Sequence, residues 1–484
     1  MNNMYTFDTS TLWAALPEIF LLSAIVVVLL LDLFLTKPFK QATYYLTQIS
    51  LFITGVMAFN LINQPQIIIF SSSFILDNMA SVFKVFMIGS TMVAMVYTRH
   101  YLTQHALFRG EYFVLVLLSV LGMMVMVSGY SLLTLYLGLE ILSLSLYTLI
   151  AIARERAGAI EAALKYFVLG AIASGLLLYG MSMIYGISGS INIIDIANFA
   201  ANADLASRET LILNFGLVFL VIGIAFKLGA VPFHMWVPDV YEGAPTSVTL
   251  FLSTVPKVAA VAMLVRILVD GLGAMHAYWA DLFMVLAVLS IALGSVVALM
   301  QTNIKRLLAY STISHVGFIM LGFVTGVISG YGAAVFYVFV YILMSLAAFG
   351  IVILLNKKGF EADQISDFKG LSNYSPWFAL MMLVVMLSMA GVPPFIGFYA
   401  KFFILQQVIS AGFITLAVVA VIFAVISAYY YLQIIKSMYF EEADKDITIT
   451  APMSMQLVLS INAVLILVVG IFPDFWIKLS LSLF

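Results

Sequence analysis

Runs of roughly twenty mainly apolar residues recur along this chain from end to end, and they restrict its fold more than any other feature. A helix of about 20 such residues crosses the hydrocarbon core of a bilayer, and in lipid only helices or closed barrels satisfy every backbone group. The runs are much longer than the roughly ten-residue alternating strands of a barrel. They predict helices near residues 12–35, 41–61, 75–97, 112–129, 131–152, 160–187, 211–242, 244–268, 279–300, 304–327, 330–355, 376–408, 411–435 and 454–477. Only 9% of the 484 residues are charged and 64% are hydrophobic, against about 25% charged in an ordinary globular chain. So few charges cannot clothe a water-soluble protein of this length. The expected class is an all-α polytopic membrane protein of about fourteen transmembrane helices, with no soluble domain.

Charge placement checks that count, because Lys and Arg concentrate in cytoplasmic connections. With the N-terminus outside, the inner connections hold Lys37, Lys40, Arg99, Arg109, Arg154, Arg156, Lys305, Arg306, Lys357, Lys358, Lys369, Lys436 and Lys445. The outer ones hold Arg208, Arg266 and Lys478, a split of 13 to 3, and the other 5 of the 21 lie inside helices. One missed or invented helix scrambles the alternation downstream of it. Both termini are therefore expected outside, in the periplasm of a bacterial host. The first Lys or Arg is Lys37, so the basic start of a cleavable signal is absent and Leu12 to Leu35 reads as a retained helix. The outer connection 188–210 is expected to be polar and mildly acidic, and Phe440 to Thr450 a solvated loop.

A net charge of −2 offers no surface for nucleic acid. With no cysteine there is no disulfide, thiolate metal site or cysteine-ligated iron–sulfur cluster.

Two spans carry matched interruptions, Gly229-Ala-Val-Pro-Phe233 in the seventh and Gly391-Val-Pro-Pro394-Phe395 in the twelfth. Proline removes a backbone donor and clashes with the preceding turn, so both helices should break there. Each has a lysine close by, Lys227 and Lys401. Five passes separate the two spans, which makes them antiparallel. Matched breaks in oppositely directed segments mark an inverted-repeat transporter with its ion path near the breaks.

Ionisable groups inside apolar runs are the main functional candidates: Lys84, Glu140, Lys165, Lys227, Lys257 and Lys401, with His315 and His234. At a helix centre each charge costs about 2.5–3.5 kcal/mol, so six together cost on the order of 15–20 kcal/mol. A purely structural protein would replace most of them with leucine. A lysine deprived of water can exchange protons near neutral pH, and histidine is suited to passing them on. Bland alternatives stand beside these readings. Glu140 and Lys165 can form a structural ion pair, Lys165 and Glu161 an i,i+4 surface pair, and either histidine can be an ordinary hydrogen-bonding residue. Lys84 and Asp77, seven residues apart on one helix face, read as a structural pairing within the surroundings of the third helix.

These stretches resemble the antiporter-like, proton-translocating membrane subunits of respiratory complex I. The resemblance rests on Leu137-Gly-Leu-Glu140, on Ala163-Leu-Lys165-Tyr, on the run from Phe226-Lys-Leu-Gly to Glu-Gly-Ala-Pro245, and on Lys257. It continues through Gln301-Thr-Asn-Ile-Lys-Arg to Ser-His315-Val-Gly and through Gly391-Val-Pro-Pro-Phe-Ile-Gly-Phe-Tyr-Ala-Lys401-Phe. The likeness spans about residues 110–440. Within the family, a lysine at position 401 and the lack of a long lateral helix match the fourteen-helix type. The D subunit of multisubunit sodium/proton antiporters is the main competitor.

The resemblance implies two inverted five-helix repeats, helices 4–8 and 9–13. The expected domains are then 1–110, 111–270, 271–440 and 441–484. It implies that Glu140 and Lys165 form a pair that modulates Lys227, that Lys257 and His315 bridge the middle, and that Lys401 exchanges protons toward the far side. It implies no cofactor in this chain. NADH, FMN, iron–sulfur clusters and quinone belong to partner subunits, and the partners include homologous antiporter-like subunits and the lipid bilayer. The expected mechanism is electrostatic: when Glu140 pairs with Lys165, Lys227 loses a stabilising neighbour and passes its proton along water toward Lys257 and on to Lys401. One charge contact at about 4 Å and an effective dielectric of 20 is worth roughly 4 kcal/mol, enough to switch such a group.

Overall fold

A computed structural model describes residues 9–36, 40–202, 208–357, 359–442 and 451–484. Lys37, Lys358, Lys445 and most of the expected loop before Thr450 lie outside the described residues. Among the described residues thirteen helices are long and apolar enough to cross a membrane. The one remaining pass, the twelfth in chain order, is made by two shorter apolar helices in series, as the break at Gly391 requires.

In chain order the helices are α1 (Leu16–Phe34), α2 (Gln41–Asn60), α3 (Asn78–Gln104), α4 (Gly110–Ser128), α5 (Leu132–Ile150) and α6 (Ala157–Ser188). After the short α7 (Ile193–Ala201), the seventh pass is α8 (Arg208–Leu228) followed by α9 (Trp236–Gly243). The eighth is α10 (Thr246–Ser253) and α11 (Val255–Leu264), continued by a π-helical turn at Val265–Gly271. Then come α12 (His276–Ala298), α13 (Ile304–Val324), α14 (Ile328–Leu355) and the single turn α15 (Leu371–Tyr374). The twelfth pass is α16 (Pro376–Ala390) with α17 (Ile396–Ser410), and α18 (Ile414–Phe440), α19 (Met453–Ile471) and α20 (Asp474–Leu481) complete the chain. One small antiparallel hairpin, β1 (Ile67–Ile69) with β2 (Phe74–Leu76), lies between α2 and α3.

Contacts between connections confirm the alternation. Phe74 pairs with Gly129 and Ser131 with Asn192, so the links after the second, fourth and sixth passes share one face. Asn303 pairs with Gln364, and Arg156 meets Glu361 in an ion pair, so the links after the fifth, ninth and eleventh passes share the other. Both described ends join the first face. Ala14 and Ala15 pack with Leu61, Ile69 and Leu76, and Phe484 borders a cavity with Asp77 and Tyr130.

Three expectations are corrected. The eighth pass is not one continuous helix. It breaks at Thr254 (φ −110°, ψ −90°), two residues before Pro256, whose missing donor cannot continue the ladder. The outer connection 188–210 is not simply polar, because α7 buries Ile193, Ile196 and Ala200. The third helix runs on to Gln104, past Arg99, which lies over the rings of Tyr44 and Tyr45.

The passes differ sharply in burial. α1, α2, α6, α18 and α19 show much of their surface outward, whereas α10, α11, α13 and α14 are buried along nearly their whole length. Small residues let the central helices approach. A Cβ at Gly294 would fall 2.6 Å from the Ser314 backbone nitrogen, and one at Gly317 would fall 2.8 Å from the Ala287 carbonyl oxygen. Small residues at helix interfaces are the usual means of close packing in lipid, where lipid tails remove the hydrophobic drive. The polar groups that sequence singles out on α11 and α13 therefore lie on the least lipid-exposed helices.

Candidate functional site

At the first break α8 ends at Leu228, and Gly229 takes a left-handed conformation (φ +82°) that turns the chain away. The last carbonyls of a helix have no partner within it and carry the negative end of its dipole. Lys257, from α11, fills that need. Its Nζ donates to the Leu228 carbonyl at 2.7 Å, stands 3.5 Å from the Lys227 carbonyl, and lies over the Trp236 ring. Trp236 closes the break by donating its indole N–H to the Phe226 carbonyl at 3.0 Å.

The second break is built the same way. α16 ends at Ala390, Gly391 is left-handed (φ +89°), and Lys401 Nζ donates to the carbonyls of Met389 and Ala390 at 3.0 Å each. The lysine that matches Lys401 is thus Lys257, not the Lys227 that sequence proximity suggests. A helix end can be capped by an amine from another pass as readily as from its own.

Lys227 faces the other way. Its Nζ donates to Ser143 Oγ at 2.8 Å, three residues along α5 from Glu140, whose charge acts on it. Glu140 Oε1 is buried and accepts no hydrogen bond from a described residue. Lys165 does not meet Glu140. It pairs at 2.8 Å with Glu161, the i,i+4 partner, and at 2.8 Å with Asp239 on α9. Its side chain is 42% exposed, because Ala157 starts α6 only two turns earlier and Lys165 still reaches the mouth of the bundle.

His315 is fully enclosed in hydroxyls. Nδ1 lies 2.8 Å from Tyr337 Oη and Nε2 3.1 Å from Tyr431 Oη, and Tyr431 continues to Ser311 Oγ at 2.5 Å. One turn away Thr312 Oγ1 meets Tyr341 Oη at 2.8 Å, and Tyr341 donates to the Ser253 carbonyl at the break in the eighth pass, 3.0 Å away. Tyr337 stacks on Phe318, whose ring faces Lys401. His315 thus lies between the Thr254 break of the eighth pass and Lys401. His234 is half-buried just past the first break, and its Nδ1 accepts or donates no hydrogen bond among the described residues.

Lys84 and Asp77 do not pair with each other. Lys84 is completely buried and meets Glu18 on α1 at 2.5 Å. Asp77, which caps α3 through the Ala80 N–H, meets Arg266 at 2.8 Å. Sequence placed Arg266 in an outer connection, yet it is buried in the π turn and also binds Asp270 at 3.0 Å.

On the face shared by the fifth, ninth and eleventh links, a cavity of about 520 Å³ is lined by Arg156, Lys165, Lys305, Arg306, Glu161, Asp239, Glu242, Glu361 and Asp363. The charges fall into two groups. Lys165 and Arg306 share Asp239, and Arg306 also binds Glu242 at 2.8 Å. In the second group Glu361 receives Arg156, the Tyr101 hydroxyl at 2.9 Å and Lys305 at 3.8 Å, and Lys305 binds Asp363 at 3.2 Å. Burial pushes the Glu361 carboxyl up, but Lys305 and Arg156 outweigh it and hold it below the usual carboxylate range. At Asp363 burial outweighs Lys305, and its carboxyl is raised.

Sequence reasoning missed Ser143, Tyr337, Tyr341, Tyr431, Asp239 and Glu361. Tyr337 and Tyr341 carry a signal, since they lie four apart on one face of a mainly apolar helix. Asp239 stands inside the quoted run on the seventh pass. Glu361 stands in a polar loop and carries none.

The chain matches the family described as NADH:quinone oxidoreductase/Mrp antiporter, transmembrane, over residues 129–427. It is 82% identical over 484 residues to NADH-quinone oxidoreductase subunit N of Ruthia magnifica subsp. Calyptogena magnifica, covering all of both chains. The protein of that name from Thioalkalivibrio sulfidiphilus is 49% identical over 475 residues, 98% of each chain. A chain of respiratory complex I from Thermus thermophilus superposes with a TM-score of 0.81 at 29% identity, covering 96% of this chain and 98% of that one.

Proposed function

Because the chain belongs to the NADH:quinone oxidoreductase/Mrp antiporter transmembrane family, we propose that it fills the subunit N position of a bacterial proton-pumping NADH:quinone oxidoreductase and relays protons through its buried lysines. Full-length identity to two relatives of that name favours this over the D subunit of a cation/proton antiporter. The chain is one multi-pass subunit of a translocase in the inner membrane, packed beside other antiporter-like subunits. NADH, FMN, iron–sulfur clusters and quinone are handled by partner subunits. The excess of Lys and Arg on the face of the charged cavity makes that face cytoplasmic, with both termini periplasmic. The two matched breaks favour inverted repeats over residues 111–270 and 271–440, flanked by 1–110 and 441–484.

One observation carries the relay: Lys257 binds the carbonyls at the end of the helix that bears Lys227, and just before Lys257 the Thr254 break is met by Tyr341, whose ring lies against His315, while the Tyr337 that His315 bonds stacks on the Phe318 ring facing Lys401. A proton enters at the cytoplasmic cavity and rests on Lys227 under the charge of Glu140. When Lys165 leaves Asp239 for Glu140, Lys227 loses that support and its proton moves to Lys257. His315 and its tyrosines carry it across the middle, Lys401 delivers it outward, and His234 is placed to serve water at the first break. Lys257→Met tests the reading in inverted membrane vesicles, where NADH oxidation and internal acidification are followed together. An assembled complex that acidifies the vesicles less per NADH oxidised is expected. Acidification at the normal ratio to NADH oxidised removes Lys257 from the path.

A further inference from the structure

Glu361 sits on the loop after α14, far in sequence from every relay residue, yet it reaches into the cytoplasmic cavity with its side chain only 12% exposed. The loop is firmly seated. Ile304 N–H donates to the Asp363 carbonyl at 2.7 Å, Ile365 N–H to the Thr302 carbonyl at 2.9 Å, and Ala362 N–H to Asn356 Oδ1 at 2.6 Å. A loop fixed in this way presents its carboxylate at a set place rather than sampling the cavity.

That place matters because of who shares the cavity. Lys305 has a second carboxylate in Asp363, but Glu361 is the carboxylate that Arg156 binds. Arg156 immediately precedes α6, the helix that carries Glu161 and Lys165. Released from Glu361, its guanidinium borders the same cavity as Glu161 and Asp239. Those two carboxylates are the partners that hold Lys165. Arg306 already holds Asp239 Oδ1 while Lys165 holds Oδ2, so a second guanidinium, which binds carboxylates through parallel N–H groups and is more weakly hydrated than an ammonium, competes with Lys165 for the remaining oxygen.

We propose that Glu361 is a positioning residue for proton uptake: by holding Arg156, it leaves Asp239 Oδ2 and Glu161 to Lys165 and so sets the resting state of the Lys165 switch. The proposal rests on the relay reading, since it acts through Lys165. It makes the loop of the second half of the chain a control element of the first half.

The test is a double-mutant cycle in the intact complex, in inverted vesicles, reading protons taken up per NADH oxidised. Glu361→Gln should lower that ratio about twofold or more in an assembled complex, and adding Arg156→Gln should restore most of it, because the released cation is gone. A merely structural role predicts the reverse, with the double variant no better than the single one, and that result overturns the proposal. Should Glu361→Gln fail to assemble, Arg156→Gln alone decides. It releases no cation, so a near-normal ratio is expected, and a collapsed ratio in an assembled complex overturns the proposal. Lys165→Ala in the same preparation separates the two levels. A normal ratio there sinks the relay reading, whereas an impaired Lys165→Ala beside an unaffected Glu361→Gln sinks only the role of Glu361.

Discussion

Replacing Lys401 by arginine and, separately, by methionine separates proton exchange from structural support. Lys401 Nζ makes two hydrogen bonds of 3.0 Å to the carbonyls that end α16. Bonds to a charged donor contribute about 1.5–3 kcal/mol each, so Lys401→Met forfeits about 3–6 kcal/mol. It also recovers the cost of keeping a charge in the bilayer, about 2.5–3.5 kcal/mol. The net change therefore runs from about −0.5 to about 3.5 kcal/mol lost, spread over a long, well-packed bundle, and the complex should assemble with a somewhat lower melting temperature. From sequence alone, removing so expensive a group promises no loss and even a gain. The carbonyls correct that expectation, because they are left unpaired. Lys401→Arg keeps donors for both carbonyls, and an adjoining cavity of about 360 Å³ lined by Val392, Phe398, Phe402 and Leu405 has room for the larger head. Arginine stays protonated in proteins, so it caps the break but cannot pass a proton on. Both variants should oxidise NADH with poor acidification of inverted vesicles, with methionine the less thermostable. Normal acidification by the arginine variant refutes the argument, because a group that cannot lose its proton would then be standing in a working path.

Glu140→Gln keeps size and removes the charge that acts on Lys227, so an assembled complex should pump less and reduce quinone more slowly. Normal pumping takes Glu140 out of the mechanism. A reporter fused after Lys358 should be cytoplasmic and one fused near residue 200 periplasmic, and the opposite result inverts the assigned orientation. Arg266→Gln strands Asp77 and Asp270 without their cation, a loss of about 3–5 kcal/mol for a broken buried pair. It should appear as a lower melting temperature with the pumping ratio intact in whatever complex assembles, and a changed ratio would place Arg266 on the proton path.

The fourteen passes were legible because lipid leaves one solution for long apolar runs, and the breaks at Gly229 and Gly391 because glycine beside proline has few other uses. The break at Thr254 was not. A single proline on the second residue after it, with no glycine nearby, reads equally well as a tolerated kink. The buried lysines were legible as anomalies, but their partners were not, since partner choice is settled by helix rotation. Lys84 chose Glu18, sixty-six residues back, over the Asp77 on its own helix. Lys257 chose backbone carbonyls, which every helix end offers and no side-chain pattern announces. Glu361 was invisible because in a polar loop an acidic residue is unremarkable until the loop is seen to fold into the bundle.

On the proposed relay, the carbonyl berths of Lys257 and Lys401 have a consequence for how long a proton would dwell there. A lysine beside a carboxylate sits in a deep well, and one such contact of about 4 kcal/mol slows departure roughly a thousandfold. A carbonyl attracts the amine less strongly and accepts an N–H whether or not the amine is charged. The side chain can therefore keep its seat while its charge comes and goes, and no countercharge is left behind to pull the proton back. Such shallow, pre-set resting places suit a conductor that must hand on its cargo, whereas the carboxylate near Lys227 suits the one station where the cargo must wait for a signal.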